Sequence, residues 1–156
     1  MKETDFLQRA IELALEHSAD GLHGPFGAII ACADQIVAEG WNRVVERVDP
    51  TAHAEIVALR AACQKLRRIE LVDCTLYSSC KPCPMCLAAT YWAHIPRIVF
   101  AASAEEAEQA GFLDRQLYAE FLANDADKKI ELVQIELVNR TAPFERWLNN
   151  PQRHPY

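Results

Sequence analysis

Apolar side chains recur along this chain at two spacings, and the two alternate in blocks. Over residues 5–18, Phe6, Leu7, Ile11, Ala14 and Leu15 form one stripe at helical spacing and predict a helix. The stretch GLHGP then breaks the pattern. The runs FGAIIACA and IVAEGWN, separated by Asp34-Gln35, predict a β-hairpin. A polar segment, RVVERVDPT, leads into a second helix, whose first turn Pro50 suits because a missing N–H costs nothing there. CTLYSSC predicts a strand, and KPCPMCLAATYWAHI a helix opened by two prolines. RIVFAAS is a further strand, EEAEQAG and DRQLYAEFLAN are helical, and IELVQIELV is a last strand. The tail, TAPFERWLNNPQRHPY, carries one short amphipathic piece.

A strand pair followed by alternating helices and strands predicts an α/β fold. Its expected form is a three-layer α/β/α arrangement around a central mixed sheet of five strands. Neither a repeat nor a linker-like shift in composition interrupts it, so residues 1–156 read as one domain. The helices after the polar loop and after the third strand start at the same end of the sheet. Open α/β sheets keep their sites at the carboxyl ends of strands.

Composition narrows the class. The 156 residues are 51% hydrophobic and 24% charged, enough for one core. A net charge of -6 argues against broad nucleic-acid binding. The first twenty residues are charged and amphipathic, and no apolar run approaches the roughly 20 residues a bilayer span needs. A cytoplasmic protein without a membrane partner is expected. Of six cysteines, three crowd into SSCKPCPMC, too close together for a disulfide framework. Cys32, Cys63 and Cys74 lie in apolar runs and read as core residues, without disulfides.

One position resists the pattern. Glu55, Leu59, Ala62 and Leu66 share a helix face that is otherwise apolar, so a carboxylate stands on the core side. Burying it unpaired costs many kcal/mol, and it needs a partner or a metal. Cys83 and Cys86, three apart at a helix start, can project both sulfurs to one point, and His53 opens the other helix. One imidazole and two thiolates leave a fourth tetrahedral position for water, as in a catalytic zinc site. Glu55 then need not ligate; it can carry the water's proton to a substrate nitrogen. His53-Ala54-Glu55 with Pro82-Cys83-Pro84-Met85-Cys86 matches the His-x-Glu and Pro-Cys-x-x-Cys signature of zinc nucleobase deaminases.

In these residues the chain resembles the cytidine deaminase-like superfamily and, within it, bacterial guanine deaminases. GPFGAII, Asn42 of GWN, DPTAHAEIVALR and YSSCKPCPMC are similar to tRNA adenosine deaminases as well. YWA, AGFLDRQLYAE and the PFERW tail resemble the guanine enzymes alone. The resemblance implies hydrolysis of guanine to xanthine and ammonia, with zinc-bound hydroxide attacking C2 and Glu55 shuttling protons. It implies that Asp114 assists proton movement and that Asn42 hydrogen-bonds the purine. Phe26 and Trp92 would wall the pocket, with Ala54 beside the substrate. It also implies a homodimer, in which residues 140–156 cross to a second subunit and Tyr156 closes that subunit's site. Lys81 departs from the family, which commonly has an acidic residue there.

Other readings remain open on the residues alone. Phe26 and Trp92 also suit core packing, Asp114 a helix N-cap, Asn42 a strand end, and Tyr156 a mobile tail. A deaminase of guanosine, cytosine or another small substrate shares the motif, as does a tRNA adenosine deaminase. The non-enzyme alternative is a structural zinc module with Cys80 as fourth ligand, which leaves Glu55 unexplained.

Overall fold

The computed structural model describes residues 2–155 and divides into two compact units, residues 1–121 and 122–156. The first unit is built on a sheet of order β2-β1-β3-β4. β1 (Gly27–Cys32) and β2 (Gln35–Trp41) form the expected hairpin. β3 (Cys74–Cys80) runs antiparallel to β1, and β4 (Arg97–Ala102) runs parallel to β3. The sheet is mixed, as expected, but it has four strands among the described residues, not five.

The missing strand is IELVQIELV. Residues 130–138 join no ladder and are exposed throughout, Val138 completely. Alternation of apolar and polar residues gives a strand a preferred face, but only a neighbouring strand can satisfy its backbone. Among the described residues this segment has no such neighbour. The second unit otherwise holds one 3-10 turn, Asp125–Asp127, and the helix expected in the tail, Ala142–Leu148.

β1 shows why the first unit is layered. Ile29 and Ala31 meet Phe6, Ala10 and Leu13 of α1 (Glu3–Ser18) on one face. Ala28 and Ile30 meet Ala54, Ala58 and Ala62 of α3 (Ala54–Leu66) on the other. The period of two sends successive side chains to opposite faces, and both faces are covered. α1 lies a little rotated from the predicted stripe: Ala10 and Leu13 are buried, while Leu15 is 67% exposed. α4 (Pro84–Trp92) packs against α3 through Ile56, Cys83 and Cys86. α5 (Ala104–Gln109) opens with a capping box, Ser103 and Glu106 each accepting the other's backbone N–H.

Two close approaches bring helices onto the sheet. A Cβ on Gly27 would stand 2.1 Å from the Ala10 carbonyl oxygen, and one on Gly40 would stand 2.3 Å from that of Ala54. Only glycine admits such contact.

Three further expectations are corrected. The polar segment before α3 contains a short helix, α2 (Val44–Arg47). Pro50 lies in a turn ahead of α3, not in its first turn, because Asp49 Oδ1 accepts both the Thr51 N–H (2.8 Å) and its hydroxyl (2.7 Å). That Asx-type turn delays the helix to Ala54 and leaves His53 as its N-cap. Cys32 and Cys74, read as free core residues, are joined by a disulfide. They are direct cross-strand partners in the β1–β3 ladder, 4.2 Å apart at Cα, a proximity invisible at a sequence separation of 42.

Candidate active site

His53 and Cys83 are the N-cap residues of α3 and α4, so two helix N-termini converge at one end of the sheet. His53 Nδ1 lies 3.5 Å from Cys83 Sγ and 3.6 Å from Cys86 Sγ. The three ligand atoms fall within 4.8 Å of one another, and both cysteines are buried. Hydrogen bonding from Cys86, with help from His53, pulls the Cys83 thiol down to about 4. The same contact with Cys83 raises His53. A site that favours thiolate beside imidazole is chemically matched to zinc.

Cys80 takes no part. Its thiol donates to the Ser103 carbonyl at 3.6 Å, and burial pushes it up to about 11. The three-residue group is therefore an open catalytic set rather than a closed structural one.

Glu55 is buried in the first turn of α3, and desolvation raises its carboxyl above the ordinary range. Ser78 of β3 donates to its Oε1 at 3.2 Å, and the Cys86 thiol donates to Oε2 at 3.5 Å. Ser78 was not singled out from the sequence, since a serine in an apolar strand carries no signal until the strand's neighbour is known. The carboxyl is thus held beside the metal group without belonging to it.

A cavity of about 390 Å³ opens on this cluster. Gly24, Phe26, Asn42, Val44 and Val45 line it, together with Lys81, Phe112, Asp114 and Leu117 and with His53, Glu55 and Cys83 of the cluster. Phe26 and Phe112 meet edge to face, ring centroids 4.7 Å apart. Asn42 is buried, and its Oδ1 accepts the backbone N–H groups of Gly24 and Val44, both at 3.3 Å. Asp114 begins α6 (Asp114–Leu122), where partial burial and the nearby Cys83 raise its carboxyl. Tyr118 of α6 donates its hydroxyl to the Pro82 carbonyl at 2.6 Å, which ties that helix to the loop carrying Cys83. Lys81 lies over the Tyr118 ring, 5.0 Å from its centroid.

The sequence-predicted residues divide. His53, Glu55, Cys83, Asp114, Phe26 and Asn42 are brought together. Ala54 is fully buried between His53 and Glu55. Trp92 does not line this cavity: it ends α4 and is 69% exposed. Tyr156 lies outside the described residues. Phe112, Val45 and Leu117 were overlooked as pocket residues, because apolar side chains before and within a helix look like core.

Helix-capped imidazole and thiolates around a buried carboxyl, on a sheet of this order, define a zinc-dependent deaminase. The chain belongs to the cytidine and deoxycytidylate deaminase family, whose zinc-binding region matches residues 1–102. Along its whole length it is similar to the guanine deaminase of Bacillus subtilis, with 43% identity over 156 residues and 100% of both chains covered. The X-ray structure of that enzyme superimposes with a TM-score of 0.96, covering 100% of this chain and 99% of the other. A second solved structure, a mutant protein in complex with 8-azaguanine, is 35% identical with a TM-score of 0.66. It covers 70% of this chain and 63% of its own. The tRNA-specific adenosine deaminase of Buchnera aphidicola is 42% identical over 91 residues, 58% of this chain and 60% of that one.

Proposed function

We propose that this protein hydrolyses guanine to xanthine and ammonia. The observation that carries the reading is similarity over all 156 residues to a guanine deaminase, where the tRNA-specific relative matches only 91. The cavity suits a planar base, lined as it is by the Phe26–Phe112 edge-to-face pair and the Asn42 amide.

His53, Cys83 and Cys86 would hold zinc, which would lower the pKa of a bound water to about 7 and act as a Lewis acid. The rest falls to the protein's own groups. Glu55, desolvated and anchored by Ser78, takes one proton of the water and gives it to a ring nitrogen, then carries the second, from the hydroxyl added at C2, to the departing amine. A C–O bond forms at C2, the C2–N bond breaks, and ammonia leaves. Asp114, across the cavity, assists the second proton transfer. Asn42 has committed Oδ1 to the backbone, so its Nδ2 hydrogens are the group it offers the purine. Phe26 packs on the base.

We also assign residues 140–156 to a second copy of the chain, in a homodimer. Two observations support it. Residues 130–138 have strand character but no strand beside them, and β4 is an edge of the sheet. On this reading Tyr156 closes the pocket of the second copy.

Ammonia release from zinc-loaded protein tests the substrate, with guanine, guanosine, adenine, cytosine and a tRNA anticodon stem in parallel. Guanine alone is expected to react. Turnover of guanosine or the RNA without guanine would overturn the substrate while leaving the zinc site standing.

A further inference from the structure

Outside the metal cluster, a group of charged side chains surrounds His23, in the loop between α1 and β1. His23 Nδ1 is 2.8 Å from Asp20 Oδ2, and Nε2 is 3.0 Å from Glu46 Oε2. Asp20 belongs to the same loop, whereas Glu46 belongs to α2, beyond the whole hairpin. The imidazole therefore spans two segments that are 23 residues apart, and its side chain is only 11% exposed.

Both ends of this bridge adjoin the substrate cavity. Gly24, next to His23, donates its N–H to Asn42 Oδ1, and the Gly24 carbonyl accepts from Phe26 N–H at 2.8 Å. Val44 and Val45, just before Glu46, line the same cavity. Asn42 N–H donates to the Phe26 carbonyl at 3.1 Å. The far end is braced as well. Arg43 holds Glu46 in a two-pronged ion pair and lies over the Trp41 ring, 5.2 Å from its centroid. His17 of α1 stacks on the same ring at 3.8 Å.

We propose that His23 is a positioning residue for purine binding: by bridging Asp20 and Glu46 it sets the separation of Gly24–Phe26 from Asn42–Val45. The proposal rests on the reading of the cavity as a purine pocket. Nothing in the zinc signature calls for this bridge, and none of its members touches the metal group.

The bridge has a preferred protonation state. With a carboxylate on each ring nitrogen, both nitrogens must donate, which only the imidazolium can do. The groups facing it are Asp20 from the loop, Glu46 and Arg43 from the α2 side, and the His17 ring 6.0 Å away from α1. The hydrogen bond to Glu46, then that to Asp20, raises His23 above its usual 6.5. Arg43, then His23, holds the Glu46 carboxyl down at about 2. A raised histidine contributes fully below 6.5 and loses that contribution as pH climbs through its raised value. A depressed carboxyl contributes fully above its usual 4.5 and loses that as pH falls towards 2. The bridge is thus complete between those limits and opens on the alkaline side.

The test is steady-state deamination of guanine by the zinc-loaded, full-length enzyme from pH 6 to 9. Unsubstituted protein is compared with His23→Ala, Glu46→Gln and His23→Arg. His23→Ala and Glu46→Gln are expected to raise KM roughly fivefold at pH 6.5, about one hydrogen bond's worth of binding, with kcat within twofold and zinc content unchanged. The unsubstituted KM climbs towards pH 9 to meet that of His23→Ala. His23→Arg, whose charge persists, keeps a low KM and flattens that climb. Unchanged KM in both His23→Ala and Glu46→Gln overturns the proposal, and so does a fall in kcat at constant KM. If the unsubstituted enzyme itself leaves guanine untouched, the purine reading of the site has failed rather than the bridge.

Discussion

Glu55 is the one buried carboxylate among the described residues, and the proposed reaction gives that burial a reason. Ser78 donates to one of its oxygens, so replacing the acid by an amide preserves shape while removing the proton carrier. Glu55→Gln is expected to keep its zinc and lose roughly 10²–10⁴-fold in kcat, read by metal analysis beside turnover. Cys83→Ala is expected to lose both together, and metal retained in that variant would sink the ligand assignment. The signature was legible in the sequence because catalytic zinc demands particular side chains at short, helix-compatible spacings. Ser78 and Phe112 were not, because their roles depend on which strand or helix end faces them.

Between elements, the site depends on how closely α3 approaches β2. His53 and Glu55 flank Ala54, and the Ala54 carbonyl lies where a Cβ on Gly40 would have to go. Gly40→Ala is therefore expected to destabilise the fold by about 1–3 kcal/mol, since neither backbone can easily retreat. In a domain of this size that lowers Tm by roughly 2–4 °C for each kcal/mol, measurable by calorimetry. Activity is expected to fall further than stability alone explains, because the same shift moves the general base. The hairpin, β3, β4 and the main helices were all readable from apolar periodicity and glycine–proline punctuation. The start of α3 was not. Proline at position 50 favours a helix start, but the Asp49 side chain satisfies the local backbone first and holds a turn. That competition places His53, rather than an earlier residue, at the helix mouth.

At the scale of the whole molecule, a run of apolar side chains stands exposed in the second unit. Ile130, Leu132, Ile135 and Leu137 are all exposed in a segment with the alternation of a strand. Subunit exchange predicts that the protein sediments as two copies at micromolar concentration. Ile135→Glu with Leu137→Glu should shift it to single copies and cost deaminase activity. Single copies from the unsubstituted protein at every concentration would dismiss the exchange. No helix among the described residues is long and apolar enough to cross a membrane.

What the sequence determined by itself was everything carried by local spacing: a layered α/β chain, two helices opening on His53 and Cys83, and an acid between them needing a metal. These follow from side-chain periodicity and ligand chemistry, which are properties of neighbours along the chain. What only the tertiary structure decided were the meetings of distant residues. They include Cys32 with Cys74, Ser78 with Glu55, Phe26 with Phe112, and His23 with Glu46. Register and helix approach set those pairs, and both arise from packing of the whole core. The absence of a fifth strand has the same cause: a β-strand exists only where another strand accepts its hydrogen bonds.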